Sequence, residues 1–567
     1  MAVEPADVLI IGAGASGGVV AKRLSEAGFK VVCLEQGDWL NRDDYPGNKL
    51  DWELHQRKSW ATSPNIRGLA QDYPIVEDDT PVSPLMYNAV GGSTIIFAGA
   101  WPRALPSDFR VRSLDGVADD WPIDYFDLLP YFYRTDRDFG VSALPGNPGY
   151  PQDSEDPPMP PLPIGSAGLK LARAHTKLGW HWWPEFNSIN STPYDGRRVC
   201  VQRSTCQSGC NEGAKASTDL THWPKAIAKG ARLLTNARVS RIETNADGLA
   251  TGATWIDRDG ASHFEAARVV VLAANAIGTP RLLLLSASPR FPDGLANSSG
   301  LVGKRLMMHP FANVAGLFEE PLMSWQGQFG DLIESLEFYE TDEKRGFVRG
   351  ARWGLAPTGG PVNAALPARA GEQTWGPDHH VALKQVLGHG ANWGLFAEDL
   401  PDEKNHITLS STVTDSSGIP APEVHYTMAD NARRMLDFHI ERAKESMDAA
   451  GAYKIEVDRL MRYSGWHLLG TARMGDDPKT SVLDRWNRAH DVPNLYVVDG
   501  SCFVTSSGVN PTSTIVAIAL RAADHMVETR LNQQVPEQGS SMHPSASWEA
   551  AGARAAAARR PTAETSK

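Results

Sequence analysis

Cysteine is scarce in this chain: five residues in 567, at positions 33, 200, 206, 210 and 502. So few, so unevenly spread, exclude a disulfide-stapled scaffold. Basic residues are outnumbered, 55 Lys and Arg against 67 Asp and Glu for a net charge of -12, so there is no cationic footprint for nucleic acid and none is expected as a partner. No run approaches the ~20 uncharged apolar residues of a membrane-spanning helix, and membrane insertion is not expected. The opening MAVEPADVLIIGAG shows no basic n-region, twin arginine or small-residue cleavage site, from which a cytoplasmic location is the expectation.

What remains is an ordinary globular composition, 42% hydrophobic and 22% charged with a mean hydropathy of -0.32. The length implies two or three domains or subdomains, enough to bury a large ligand. Residues 7 to 37, DVLIIGAGASGGVVAKRLSEAGFKVVCLEQG, run strand, glycine turn, amphipathic helix and second strand, a βαβ unit. Gly12, Gly14 and Gly17 give G-x-G-x-x-G, and Glu35 ends the second strand where a ribose hydroxyl acceptor is expected. In such a unit the first glycine makes the tight turn, the second admits a pyrophosphate, and the third lets the helix pack closely with its positive end toward the phosphates. Glu35, in place of a basic residue, favours an unphosphorylated ribose.

Residues 38 to 88 carry few periodic elements and several aromatics, which suits a binding loop or cover. YNAVGGSTIIFAGAWPR, 87 to 103, is a second glycine turn bare enough for a planar ligand to approach. Residues 231 to 286 read as a hairpin-rich sheet, a buried strand at Val269 to Leu272, and a helix after Gly278 and Pro280. Residues 310 to 460, with NHITLS, VHY and a helix from about Asp430 to Ala450, read as an antiparallel sheet forming a substrate domain. Beyond 531 the chain is poor in bulky residues apart from Trp548 and reads as a flexible tail or short docking helix.

YSGWHLLGTARMG, 463 to 475, sets His467 among apolar neighbours. A lone buried imidazole more commonly serves a fold through one hydrogen bond than a reaction. Cys200, Cys206 and Cys210, spaced C-x5-C-x3-C, match no common zinc or four-cysteine cluster pattern and lack an evident fourth ligand, so reduced thiols in a packed loop are expected and no metal. His379, His380 and His389 have too few partners in sequence for a metal site and are expected in a loop or pocket wall; Trp325, Trp353, Trp375 and Trp393 are candidates for stacking a ring, or for the core.

These motifs, together with ARVVVLAANAIGTPRLLLLS, GLVGKRLMMHP, WHLLGTARMG and VLDRWNRAHDVPNLYVVDGSCFVTSSGVNPTSTIVAIALRAAD, resemble the glucose-methanol-choline family of flavin-dependent alcohol oxidoreductases from about residue 7 to 527. The resemblance implies an α/β fold in which a Rossmann-like FAD-binding domain (1–110, 196–310 and 461–531) is interleaved with a discontinuous antiparallel-sheet substrate domain (111–195 and 311–460), followed by a tail, 532–567. It implies FAD, with its ADP part at Gly12, Gly14, Ala15, Ser16, Gly17 and Glu35. Gly91, Gly92, Ser93 and Thr94 would run along the flavin and pyrophosphate, Val239 near the adenine, Ala274 among the contacts, and Asp499 and Gly500 near the ribityl or phosphate groups. Asn510, Pro511 and Thr512 open a helix whose positive end suits the charge of reduced flavin.

The catalytic pair of the family falls on His467 as base and Asn510 as hydrogen-bonding partner, with His309 expected to support the fold. Ile95, Ile96 and Phe97 stand where covalently flavinylated relatives carry the attachment histidine, so noncovalent FAD is expected. The implied reaction is oxidation of CH-OH to an aldehyde or ketone, with oxygen or another electron acceptor. Asn510, the GAK segment at 213 to 215 and the many aromatics favour a sugar or glycoside as the small-molecule substrate. A tryptophan-rich substrate domain would favour a bulky aryl-bearing alcohol instead. A flavin-binding interaction protein without turnover would require a disabled His-Asn pair, and the pair is intact.

Overall fold

The computed structural model describes residues 4–366 and 376–531. Apolar β-branched runs at Ala6–Ile11, Val31–Leu34 and the end of Ser262–Leu272 are buried on both faces, as central strands of a parallel sheet must be. They join Arg232–Leu234 and Leu495–Val497 in the order 232–234, 31–34, 6–11, 262–272, 495–497, every pair parallel. The long strand changes partners halfway. Its first residues, from Ser262, pair antiparallel with Ala250–Ile256, which in turn pairs with Arg238–Thr244, so the expected hairpins grow directly from the nucleotide sheet. Helices Ala15–Glu26 and Thr512–Leu531 pack on each other, and Tyr125–Phe139 packs on the second of them. Val20, Val516, Ala519 and Leu520 meet Val8 and Ile10 of the sheet.

The helix expected after Gly278 and Pro280 begins earlier, at Asn275. Asn275 Oδ1 accepts from the backbone N–H of Ile277 (2.9 Å) and Gly278 (3.1 Å), satisfying the open first turn. Pro280 then sits inside the helix without an N–H for the Ala276 carbonyl, which instead accepts from Thr471 Oγ1 at 3.0 Å. The proline therefore ties this helix to the segment that carries His467.

The second sheet is antiparallel and six-stranded, in the order Lys454–Asp458, Phe311–Leu317, Gly390–Ala397, Ala351–Ala356, Ile333–Ser335, Trp183–Pro184. Helix Asp430–Ala449, close to the expected span, seals one face with Met435, Leu436, Ile440 and Met447, and Gly165–Leu178 packs against that helix. NHITLS and VHY do not join this sheet; they pair with each other in a separate two-stranded ribbon, His406–Thr414 with Pro420–His425.

Residues 38 to 88 form short helical turns tied down by buried chemistry. Arg67 pairs with Asp72 at 2.6 Å and lies over Tyr87, on which Trp60 stacks at 5.5 Å. Trp375, Trp548 and the 532–567 tail lie outside the described residues.

Candidate active site

One continuous cavity of about 430 Å³ runs between the two sheets. At one end it is lined by Glu35, Val239 and the turn Gly12, Gly14, Ala15 and Ser16; in the middle by Gly92, Ser93, Thr94, Ala274, Asp499 and Gly500; at the other by His467, Asn510, Pro511 and Thr512. Gly17 and Gly91, also expected at the cofactor, stand behind the wall. The Gly91 N–H is turned to the Ala13 carbonyl at 2.9 Å, and Gly17 abuts the turn, where a Cβ would lie 2.0 Å from the Gly12 carbonyl oxygen. A Cβ on Gly14 would meet nothing nearer than 3.9 Å; it would project into the cradle rather than into protein.

This cradle fits a dinucleotide. The helices at Ala15 and Thr512 both start at the cavity, and neither has an acidic residue in its first turn, so their positive ends are free for phosphate and for anionic flavin. Glu35 is buried and its carboxylate braces the turn, accepting from the N–H of Ala13 (2.7 Å) and Gly37 (2.8 Å); burial raises its pKa to about 6. Asp499 accepts from Thr279 Oγ1 (2.6 Å) and the Ser501 N–H (2.9 Å), which fixes it in the wall.

The GGSTIIF segment is held from behind by Lys215. Its buried ammonium donates to the carbonyls of Thr94 (3.0 Å), Ile95 (2.8 Å) and Phe97 (2.9 Å), and burial lowers its pKa to about 8. Ile95 and Ile96 are buried, and Phe97 lines the cavity. Among the described residues that line the cavity there is no cysteine, and the single histidine is His467. Cys200, Cys206 and Cys210 are free thiols; among the described residues no group of three His, Cys, Asp or Glu is placed to hold a metal. His379 and His380 open helix His379–Val386 away from the cavity, and His389 Nδ1 bonds the Phe318 carbonyl at 3.0 Å.

His467 and Asn510 are brought together across the chain, Nε2 to Nδ2 at 3.4 Å. Their protonation states follow from the groups behind them. His309 Nε2 lies 3.2 Å from the Ser506 carbonyl, which can only accept, so Nε2 carries the hydrogen. Burial lowers the His309 pKa to about 4, so the ring is neutral and its Nδ1 is a bare acceptor. The 2.8 Å contact between the Nδ1 atoms of His309 and His467 therefore places a hydrogen on His467 Nδ1. Burial, reinforced by His309 and then by the Arg352 guanidinium, keeps His467 well below its ordinary pKa, so its Nε2 is left unprotonated. On the other side, Arg352 Nη1 donates to Asn510 Oδ1 at 2.9 Å, which turns the Asn510 NH2 toward His467.

Arg352 is itself enclosed by Glu185, Asp331 (3.1 Å) and Glu334 (3.0 Å). One guanidinium cannot neutralise three buried carboxylates, and burial raises Asp331 and Glu334 above the usual carboxyl range. Phe396 lies against His467 (5.8 Å between ring centres) and Phe311 packs edge-on against Phe396 (4.7 Å) and Trp466 (5.5 Å), closing the catalytic end with apolar rings. Trp353 and Trp393 are fully buried on the opposite face of the sheet, and Trp325 is not among the cavity residues, so none of these ring-stacking candidates reaches the site. Sequence reasoning missed Lys215 and Arg352 and read His309 only as scaffold. A charged residue inside a small-residue segment, GAKAS, was the signal available for Lys215.

The N- and C-terminal models described as GMC oxidoreductase match residues 170–311 and 401–519, and a model for an NAD(P)-binding Rossmann-like domain matches 10–73. The chain is 43% identical to 2-methyl-1,2-propanediol dehydrogenase of Mycolicibacterium austroafricanum, covering 92% of this chain and 95% of that one. It is 32% identical to the fructose dehydrogenase large subunit of Gluconobacter japonicus, covering 92% and 97%. Among solved structures, pyridoxine 4-oxidase from Mesorbium loti superposes with a TM-score of 0.60 at 18% identity, covering 92% of this chain and 99% of that one, which shows the fold. The chain belongs to the GMC oxidoreductase family, whose Rossmann-like domain and family membership imply FAD, and it is an oxidoreductase of alcohol groups.

Proposed function

We propose that this enzyme oxidises the CH-OH group of a neutral, polyhydroxylated alcohol of sugar type, with noncovalent FAD, His467 as base and Asn510 as its partner. The observation that carries the reading is the bare Nε2 of His467, fixed in that state by His309 and facing the cavity beside an amide oriented by Arg352. A substrate hydroxyl placed there donates to Nε2 and accepts from Asn510 Nδ2–H. His467 takes the hydroxyl proton, which raises electron density on the carbinol carbon and weakens its C–H bond. Bound FAD supplies the hydride acceptor. Phe311, Phe396 and Trp466 exclude water from the polar transfer and leave the alcohol little freedom to turn its C–H bond aside. The protonated imidazole then stands buried near Arg352, an environment that favours release of the proton with product.

Noncovalent FAD is supported by the replacement of the attachment histidine and by a wall that, among the described residues, carries no cysteine and no second histidine. The sugar-type reading is supported by the relatives that are a diol dehydrogenase and a fructose dehydrogenase subunit; for a bulky aryl-bearing alcohol, Trp353 and Trp393 lie in the core, and the aromatic rings at the catalytic end are Phe311, Phe396 and Trp466. The test is anaerobic mixing of the yellow holoenzyme with a panel of sugars, polyols, alkanols and aryl alcohols while following flavin absorbance. Bleaching by hydroxylated compounds, reversed by an electron acceptor, is expected. A flavin that stays oxidised with every member of the panel would overturn the reading.

A further inference from the structure

The sheet face that roofs the cavity carries two side-chain amides that no other residue occupies. Strand pairing sets its residues in rows. Phe311, Phe396 and Arg352 form the row over His467 and Asn510; Asn313, Gly394 and Gly354 form the next; Ala315, Asn392 and Ala356 the one beyond. Rows on one face are two residues apart, roughly 6.7 Å. Asn313 and Asn392 both line the cavity. The Asn392 Oδ1 is buried without a hydrogen-bond partner, and the Asn313 amide bonds no side chain or backbone group among the described residues. The glycines between them are not vacant: a Cβ on Gly394 would lie 2.6 Å from the Phe311 ring, and one on Gly354 would lie 2.2 Å from the Asp331 carboxylate. The roof therefore runs, outward from the reacting centre, as aromatic rings, one carboxyl tied to Arg352, and two open amides.

A buried amide oxygen left open, as at Asn392, is costly unless something arrives to pair with it, and the half-buried Asn313 amide stands open to the same cavity. A primary amide both donates and accepts, which matches a hydroxyl group and matches neither a carboxylate, a phosphate nor an ammonium well. Among the described residues that line the cavity there is no lysine, and the one arginine, Arg281, is paired with Asp415 at 2.8 Å, which leaves no open cation to attract an anion. The neighbouring Phe311 ring suits the C–H face of a hydroxylated carbon chain or ring.

We propose that Asn313 and Asn392 bind hydroxyl groups of the substrate other than the one oxidised, and so select polyhydroxy compounds over mono-alcohols. This rests on the function proposed above. Asn313, one row from the reacting centre, reads a hydroxyl close to the oxidised carbon; Asn392, two rows away, reads one at the far side of a sugar-sized molecule.

The experiment compares kcat/KM for flavin reduction by 1-hexanol, 1,2-hexanediol, a hexitol and an aldohexose, in the wild type and in Asn313→Leu, Asn313→Ala, Asn392→Leu and Asn392→Ala, each checked for bound FAD. In parallel, calorimetric binding of the same compounds to His467→Ala holoenzyme, with and without each asparagine change, reads recognition without turnover. The best polyhydroxy compound is expected to exceed 1-hexanol, and each asparagine change to reduce that ratio by roughly tenfold or more. Asn313→Leu should also reduce the diol advantage, and Asn392→Leu only that of the six-carbon compounds. Equal rates for mono-alcohol and polyol, or ratios untouched by the substitutions, would overturn the assignment while leaving alcohol oxidation in place. Absence of flavin reduction by any compound would instead overturn the proposed function, and the binding titrations would then decide the amides alone: polyol binding weakened by the asparagine changes supports their role, and binding unaffected by them refutes it.

Discussion

Removing the His309 imidazole tests the protonation chain behind the base. His309→Leu leaves the Nδ1–H of His467 facing a side chain that cannot accept, at a position now fixed by a 2.8 Å bond. A buried donor without a partner costs about 1 to 3 kcal/mol, and the imidazole can recover part of it by rotating or by moving its hydrogen to Nε2. Either change removes the bare Nε2 from the substrate hydroxyl. If that cost has to be met again to reach the reactive arrangement, flavin reduction slows by roughly 5- to 150-fold. The variant should still hold FAD, because the cradle residues are elsewhere in the cavity. His309→Asn, whose Oδ1 offers an acceptor near the lost Nδ1, should restore a substantial part of the rate. Rapid-mixing measurement of flavin reduction across pH gives the decisive readout. In the wild type the rate is expected to hold from neutral pH down to values well below 6.5, because His467 is held below its ordinary pKa. In His309→Leu the acid limb should move, since His309 is one of the groups that depress it. Full activity in His309→Leu with an unchanged pH profile would refute the chain and return His309 to a packing role.

His467→Ala should retain FAD and slow flavin reduction by roughly 10²-fold or more, and a near wild-type rate would exclude it as the base. Acid precipitation should leave the yellow colour in the supernatant, whereas colour in the pellet would establish a covalent link despite Ile95, Ile96 and Phe97. His175 is buried, bonded to the His181 carbonyl and to Ser446, and burial lowers its pKa from 6.5 to about 4. It is neutral in the fold, while the unfolded chain takes up a proton there below about 6.5; its contribution is therefore present above that pH and is lost as pH falls toward 4, by about 2 kcal/mol at pH 5. The stability deficit of His175→Gln measured by urea unfolding should accordingly shrink by about 2 kcal/mol between pH 7 and pH 5, and a deficit constant across that range would refute the assignment.

The parts of this site that depend on one stretch of chain were legible in the sequence. Gly12, Gly14, Gly17 and Glu35 belong to a single βαβ unit, where turn, helix and strand lengths fix their relation before any tertiary contact forms. His467 and Asn510 were legible through resemblance, since nothing in local spacing joins residues 43 apart. Glu35 shows the limit even within the motif: the motif reads it as an acceptor for a ribose hydroxyl, whereas in the fold both its carboxylate oxygens accept from the backbone of the turn, a contact set by the path of residues 13 and 37. Arg352 and His309 act on the pair from 158 positions away each, through a guanidinium-amide bond and an imidazole-imidazole bond that only the assembled sheets create.

The substrate face was hidden for a different reason. Along GANWGLFA and ARWGLA the period of two is exact, with Trp393, Leu395, Trp353 and Leu355 on one face and Asn392, Phe396 and Arg352 on the other. A half-exposed strand would have declared its outer face by polarity. Here one face is sealed by the helix at Asp430–Ala449 and the other roofs a cavity lined largely by apolar groups, so large apolar residues occur on both. Tryptophan, the larger and more eye-catching side chain, went to the core, and the chemistry went to residues that in sequence look like interruptions of an apolar strand. In a sheet covered on both sides, the polar residues that break the run, Asn313, Arg352 and Asn392, are therefore the better guide to the ligand, because a buried amide or guanidinium persists only where a protein group or a bound molecule completes its hydrogen bonds.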